Sequence, residues 1–116
     1  MHTQNLQVPA GSPSIRLADG ACRILWHAFK ETTGAAGASY DIMDGNAPDA
    51  KILLPVTLAA NESTRDFFGP HGLEVNNAVF VRVNNGSIVG NITTVLEDEY
   101  LRHYDRVWIV EEPEGR

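Results

Sequence analysis

The sequence predicts a mainly β protein, an antiparallel β-sandwich or jelly-roll-like single domain with one short helix near the C-terminus. Three observations support this fold class: Val and Ile are spread along the chain, short alternating apolar runs recur, and turn residues separate the runs. With 116 residues the chain is long enough for one core. We divide it into an extended arm over 1–13, a sandwich domain over 14–96 and a C-terminal extension over 97–116.

The first third of the chain predicts an arm and one long strand. Pro9, Gly11 and Pro13 favour an extended segment over a packed element, and a short strand at 6–8 stays open. Residues 21–32 alternate, so we expect a strand, although periodicity alone leaves a helix open. One face of this strand would hold Cys22, Ile24, Trp26 and Ala28, and the other Arg23, Leu25, His27 and Phe29.

Two further strands are expected in the middle of the chain. Small residues at 34–39 break the first strand, a short strand follows at 40–44, and Asp44-Gly45-Asn46 forms a turn. Alternation resumes over 51–59. Pro55 cannot donate a ladder hydrogen bond, which indicates an edge strand or a bulge.

The region 62–96 predicts a β-hairpin that follows a structured loop and a short strand at 73–75. Two β-branched runs, 78–84 and 87–95, flank Asn85-Gly86. Asn-Gly between such runs is the strongest short-range hairpin signal, because both central residues of a type I′ turn need positive φ. The loop itself is predicted over 61–72.

After Leu96 the sequence changes character. Residues 97–104 predict two helical turns, with Asp98 and Arg102 spaced as a weak ion pair. A hydrophobic strand containing VWIV is expected over 105–110, and 111–116 forms a charged tail that we expect to be exposed. A terminal strand that is apolar on both faces is either central in a sheet or docked on another subunit.

Composition narrows the classes of partner. A formal net charge of −6 and a pI near 5.0 disfavour sequence-independent nucleic-acid binding, since that depends on Lys and Arg. No signal-peptide pattern and no apolar run of membrane-spanning length is present, so we expect a protein made in a cytoplasm without a membrane partner. Cys22 is the single cysteine and is expected to be a buried apolar residue.

Metal and acid–base sites are each weakly supported. Glu99 and His103 share a face of the predicted helix, but a zinc site needs three or four ligands. The 44–49 loop lacks the residues that a calcium loop needs at its fifth and sixth positions. Asp41, Asp44 and Asp49 leave a paired-carboxylate glycosidase open, although so small a hairpin protein seldom builds the necessary cleft. We therefore predict no metal and no cofactor.

Nucleophilic catalysis has the right residue types but no recognisable motif. Ser63, Asp66 and His71 lie within one segment, yet their order matches no elbow or triad pattern. Ser63 is better interpreted as a turn residue. We predict that the protein is not an enzyme and has no catalytic residues, and a small hydrolase is the least favoured hypothesis.

Aromatic residues offer a binding alternative. In principle the nine aromatic side chains include a stacking platform for a sugar or a single-stranded nucleic acid, although we expect most of them in the core or an interface. Phe67 and Phe68 are the informative pair, because adjacent strand residues face opposite ways and only one readily enters the core.

Several segments together resemble a known group of proteins. The order of a small-residue linker, YDIMDG, LPVTLAANESTRDFFGPHGLEV and VFVRVNNGSIVGNI is similar to that in small β-sandwich virion proteins of tailed bacteriophages. Trp26, Asp44-Gly45 and the ranges 58–66, 69–72 and 80–92 carry the match, which covers about 16–95. The extension beyond Leu96 departs from the pattern, which leaves open whether it completes the domain or grips a partner.

The resemblance implies a non-enzymatic building block repeated on a virion. We expect a minor capsid or decoration protein, made in the bacterial cytoplasm, that forms a homo-oligomer and stabilises the shell by binding the major capsid protein. The alternatives are a tail or fibre component with a carbohydrate-binding role and a head-to-tail connector component. The expected interface residues are Phe67, Phe68, His71, Trp108, Ile109 and Val110.

Overall fold

Nine strands and one short helix make up the described part of the chain. The computed structural model describes residues 3–47 and 49–103. The strands are β1 (Gln4–Val8), β2 (Ile15–Asp19), β3 (Cys22–Glu31), β4 (Ala38–Asp44), β5 (Lys51–Leu58), β6 (Ser63–Phe67), β7 (Leu73–Val75), β8 (Ala78–Asn85) and β9 (Ile88–Leu96). The helix, α1, covers 97–103.

The strands form two antiparallel sheets with a shared core, so the predicted mainly β sandwich is confirmed. Sheet A has the order β1-β9-β3-β6, and β7 also pairs with β3. Sheet B has the order β2-β8-β4-β5. Since β6 and β7 lie end to end along β3, they act as two halves of one strand. With these halves counted together, the eight strands follow the order of a jelly roll.

Residues 4–8 are part of the sandwich, which corrects the predicted arm over 1–13 at these positions. All five residues of β1 pair with β9, and Val8 is buried in the core. The short strand that the sequence leaves open at 6–8 forms, and it begins at Gln4. Strand β1 covers one edge of β9. The sequence of β1 alone does not indicate this role.

The predicted hairpin is wrong, although both of its strands exist. β8 pairs with β2 and β4 in sheet B, whereas β9 pairs with β1 and β3 in sheet A. The chain therefore crosses from one sheet to the other at Gly86. Among the described non-glycine residues only Asn61 has a positive φ, so Asn85 lacks the conformation of a type I′ turn.

A bulge in β3 reverses the predicted faces of its second half. Ile24 pairs with Thr94 and Trp26 with Thr93, which leaves Leu25 as the extra residue. Trp26 consequently points out of the sandwich and is 43% exposed, while His27 and Phe29 are buried. The predicted faces hold at Ile24 and are wrong from Trp26 onward.

Other elements agree more closely with the sequence. β5, which contains Pro55, is an edge strand of sheet B, as predicted. β7 forms at 73–75, and Asp98 and Arg102 form an ion pair at 3.3 Å on α1. Where a loop was predicted, 63–67 forms strand β6. The expected strand over 105–110 and the charged tail lie outside the described residues.

The core between the sheets consists of aliphatic and aromatic side chains from both. Its largest fully buried members include Tyr40, Ile24, Ile42, Ile88 and Ile92. Cys22 belongs to this core, and burial raises the pKa of its thiol to about 11, in agreement with the predicted apolar role.

Candidate functional site

Helix α1 covers one end of the outer face of sheet A. Tyr100 packs against Leu25 and Val95 in a small cluster separate from the main core. The Arg23 guanidinium makes two bonds to the Glu97 carboxylate, 2.8 and 3.0 Å long, and lies 4.4 Å from the centre of the Tyr100 ring. Such a bidentate, charge-assisted contact fixes the helix on the sheet.

Beyond α1, two aromatic side chains stand side by side on the same outer face. Trp26 and Phe67 are paired residues of β3 and β6, which places their Cβ atoms about 5 Å apart. Phe67 is 67% exposed, the highest value among the large hydrophobic residues in the described ranges. The two rings form an exposed apolar area at the edge of sheet A.

The aromatic pair borders a groove whose floor is Ala28. Ala28 pairs with Arg65 on one side and with Asn91 on the other, so a small methyl group lies between two larger polar side chains. The groove, of about 430 Å³, is lined by Trp26, Ala28, Arg65, Phe67 and Asn91.

A second groove, of about 490 Å³, shares Ala28 and Arg65 and adds Lys30, Ser63 and Val89 to its lining. Together these side chains form one surface, which we call the open face: Trp26, Ala28, Lys30, Ser63, Arg65, Phe67, Val89 and Asn91.

The open face carries positive charge on an acidic protein. Lys30 and Arg65 both lie on it, while the chain as a whole has a formal net charge of −6. Across residues 3–47 and 49–103, neither cation makes an ion pair or a side-chain hydrogen bond. Their donors are therefore available to a ligand.

Phe67 and Phe68 divide their roles as the alternation of strand residues predicts. Phe68 is partly buried and stacks on the His27 ring, with centroids 5.5 Å apart and planes 10° from parallel. His27 is fully buried, and its Nε2 lies 2.9 Å from Asp66 Oδ2. Burial lowers the pKa of His27, and Asp66 opposes this shift. Phe68 therefore closes the core, and Phe67 faces outward.

The remaining predicted interface residues lie at the helix end or beyond the described chain. His71 is exposed in the loop before β7, and its Nδ1 hydrogen-bonds with the Tyr100 hydroxyl of α1. Trp108, Ile109 and Val110 lie outside the described residues. Phe67 and His71 are thus exposed on different parts of the molecule, one on the open face and the other beside α1.

The structure does not bring Ser63, Asp66 and His71 together. Ser63 pairs with Lys30, whereas the His71 carbonyl accepts a hydrogen bond from Arg23. Arg23 and Lys30 are seven positions apart along β3, which corresponds to about 23 Å in an extended strand. Asp66 bonds with His27 instead. The hydrolase hypothesis therefore has no assembled triad.

The carboxylates of Asp41 and Asp44 stabilise the fold by accepting hydrogen bonds from backbone N–H groups and side chains. Asp44 accepts hydrogen bonds from the N–H groups of Asn76, Asn77 and Ala78. Asp41 accepts hydrogen bonds from Arg82 and Asn84. For both carboxyls, burial raises the pKa, but these bonds outweigh it and the pKa is lowered.

Sequence reasoning missed Glu31, the most heavily hydrogen-bonded carboxylate in the described chain. Its oxygens accept bonds from the backbone N–H and hydroxyl of Thr33, and from the N–H groups of Gly34 and Asn61. The Thr33 hydroxyl, with these N–H groups, lowers the pKa of the buried Glu31 carboxyl to about 2. Glu31 thereby ties the loop after β3 to the turn before β6. An isolated Glu at a strand end gives no warning of this role.

Comparisons with protein-family models, with curated proteins and with solved structures found no match for this chain. In the described ranges, no helix combines the length and apolar character that crossing a membrane requires. The same ranges contain no cluster of three or more His, Cys, Asp or Glu side chains suited to hold a metal ion.

Proposed function

We propose that this protein is a non-enzymatic structural component of a tailed bacteriophage virion, a minor capsid or decoration protein that binds the major capsid protein and stabilises the shell. The resemblance over about 16–95 supports this role. Viral capsid domains are among the proteins that use the jelly roll, which supports it by analogy of fold alone.

The observation that carries the proposal is a pair of exposed leucines at the α1 end of sheet A. Leu96 and Leu101 are 48% and 49% exposed, and His71 lies at the same end of sheet A. We call His71, Leu96 and Leu101 the helix end. Because Arg23 fixes α1 to the sheet, these side chains are presented on a rigid support, which reduces the ordering cost of binding.

The placement of the polar residues also supports binding over catalysis. Glu31, Asp41 and Asp44 are occupied by hydrogen bonds from loops and neighbouring side chains. Ser63 and His71 lie at opposite ends of β3. The acidic side chains thus stabilise the loops and strands. The exposed apolar side chains of the helix end are suited to contact a large partner.

Substituting Leu101 with aspartate should weaken binding to empty capsid shells at least tenfold, or about 1.4 kcal/mol, because a charge would be buried in the contact. Cosedimentation with purified shells measures this. Ile52→Asp is the matched control, since Ile52 is 46% exposed on β5 of the other sheet. Wild type and the control should bind alike.

Two results would contradict the proposal. One is a wild-type chain that does not sediment with shells and is strictly monomeric by native mass spectrometry. The other is equal loss of binding in Leu101→Asp and Ile52→Asp, which would show that the helix end is not the contact.

A further inference from the structure

We propose that the open face of sheet A is a binding site for an acidic saccharide. A sugar ring stacks on Trp26 and Phe67, and its carboxylate and hydroxyl groups bind Arg65, Lys30 and Asn91. This site goes beyond the shell contact, which uses the helix end, so each can fail without the other.

The aromatic pair supplies the stacking surface. Trp26 and Phe67 are neighbours across β3 and β6, and both expose a large part of their side chains. Aromatic faces attract the C–H groups of a sugar ring while leaving its hydroxyls free to hydrogen-bond. The bulge at Leu25 turns Trp26 outward, so this irregularity in β3 exposes the tryptophan side chain.

The polar side chains are spaced to hold the substituents of such a ring. Arg65 and Asn91 flank Ala28 on opposite sides, and Lys30 lies two residues further along β3. A guanidinium presents a fork of N–H donors that matches a carboxylate, and an amide both donates and accepts. Because Ala28 is small, the ligand can approach the sheet between them.

Charge and size favour a saccharide over a protein partner at this face. The groove beside Trp26, of about 430 Å³, falls in the range of small-ligand sites. Two unpaired cations on a chain of net charge −6 select an anionic ligand.

The test is a calorimetric titration of the full chain with tetragalacturonate as the acidic probe and maltotetraose as the neutral one. The acidic probe should bind, and the neutral probe should bind at least tenfold more weakly. Trp26→Ala and Arg65→Gln should each weaken the acidic complex at least tenfold. Arg65→Gln removes the charge at an exposed position and keeps the aromatic surface, so weaker binding by this variant would report the charge contact.

Controls separate this site from the helix end and from simple charge attraction. Leu101→Asp and Ile52→Ala should bind tetragalacturonate as wild type does. Short polyglutamate, which resembles an acidic protein segment, should bind much more weakly. Equal binding of polyglutamate would overturn the saccharide assignment in favour of a protein partner. Absence of tetragalacturonate binding, or binding unchanged in both open-face variants, would also overturn it and would leave the shell proposal untouched.

Discussion

Gly86→Ala should destabilise the folded protein by about 2–5 kcal/mol, clearly more than Gly20→Ala, for which about 1–2 kcal/mol is expected. Both glycines have positive φ, +79° at Gly86 and +89° at Gly20, so both substitutions carry the left-handed backbone cost. At Gly20 a new Cβ would meet nothing within 4 Å. At Gly86 it would lie 2.6 Å from the Gly37 carbonyl oxygen and 2.8 Å from the Ala38 Cα.

The difference between the destabilisation caused by the two substitutions tests whether the chain crosses between the sheets at Gly86. The crowding at Gly86 arises because the chain passes beside the start of β4 on its way from sheet B to sheet A. In a hairpin the same glycine would lie at an exposed turn, and the two substitutions would cost alike. Urea unfolding followed by circular dichroism measures both free energies, and equal values would contradict the crossing.

Acid should unfold the protein progressively, in an upper range set by His27 and a lower range set by carboxylates. Burial holds the pKa of His27 below its ordinary 6.5. As the pH falls below 6.5, the unfolded chain therefore binds a proton that the folded chain does not. Stability is complete above this range and decreases as the pH falls towards the folded-state pKa.

The carboxylates act in the same direction at lower pH. The pKa of Glu31 is about 2 in the folded state against an ordinary 4.5, so its stabilising contribution is present above pH 4.5 and is lost as the pH falls towards 2. Asp41 and Asp44, whose pKa values are lowered from 3.8, add to the same loss. Urea midpoints measured between about pH 7 and pH 2 should therefore fall continuously.

Glu31→Gln separates this carboxylate from the others. An amide has a single acceptor oxygen, so two of the four donors around Glu31 would lose their partner, and the variant should be less stable than wild type at neutral pH. Its stability should depend less on pH between 4.5 and 2, so the two curves should converge in acid. Asp98→Asn is the control, because its exposed ion pair with Arg102 contributes little. A Glu31→Gln curve parallel to that of wild type would show that the carboxylate is not held in this way.

The sequence predicted the class of fold well because alternation and turn residues report burial and chain reversal directly. Pro55 placed β5 at an edge since proline lacks the donor that a central strand needs. Phe67 and Phe68 were expected to face opposite ways, and they do. These features depend on one or two residues and their own backbone chemistry.

Features that depend on partners distant in sequence could not be predicted. Asn85-Gly86 indicates a tight turn, but only pairing with β3 and β4 decides that the flanking strands join different sheets. The bulge at Leu25 exists because of the register with β9, so the outward position of Trp26 was hidden. The open face joins residues from β3, β6 and β9, which no local pattern connects.

Both proposed binding surfaces depend on the jelly-roll pairing, which cross-strand nuclear Overhauser effects between backbone protons would report in solution. We expect contacts between Ile88 and Glu31 and between Val83 and Tyr40, since these residues are paired in sheets A and B. A hairpin closed by Asn85-Gly86 would instead pair Val83 with Ile88. Observation of the first two contacts, without the third, would support the arrangement that places Trp26 on the open face. A strong Val83–Ile88 backbone contact would contradict it.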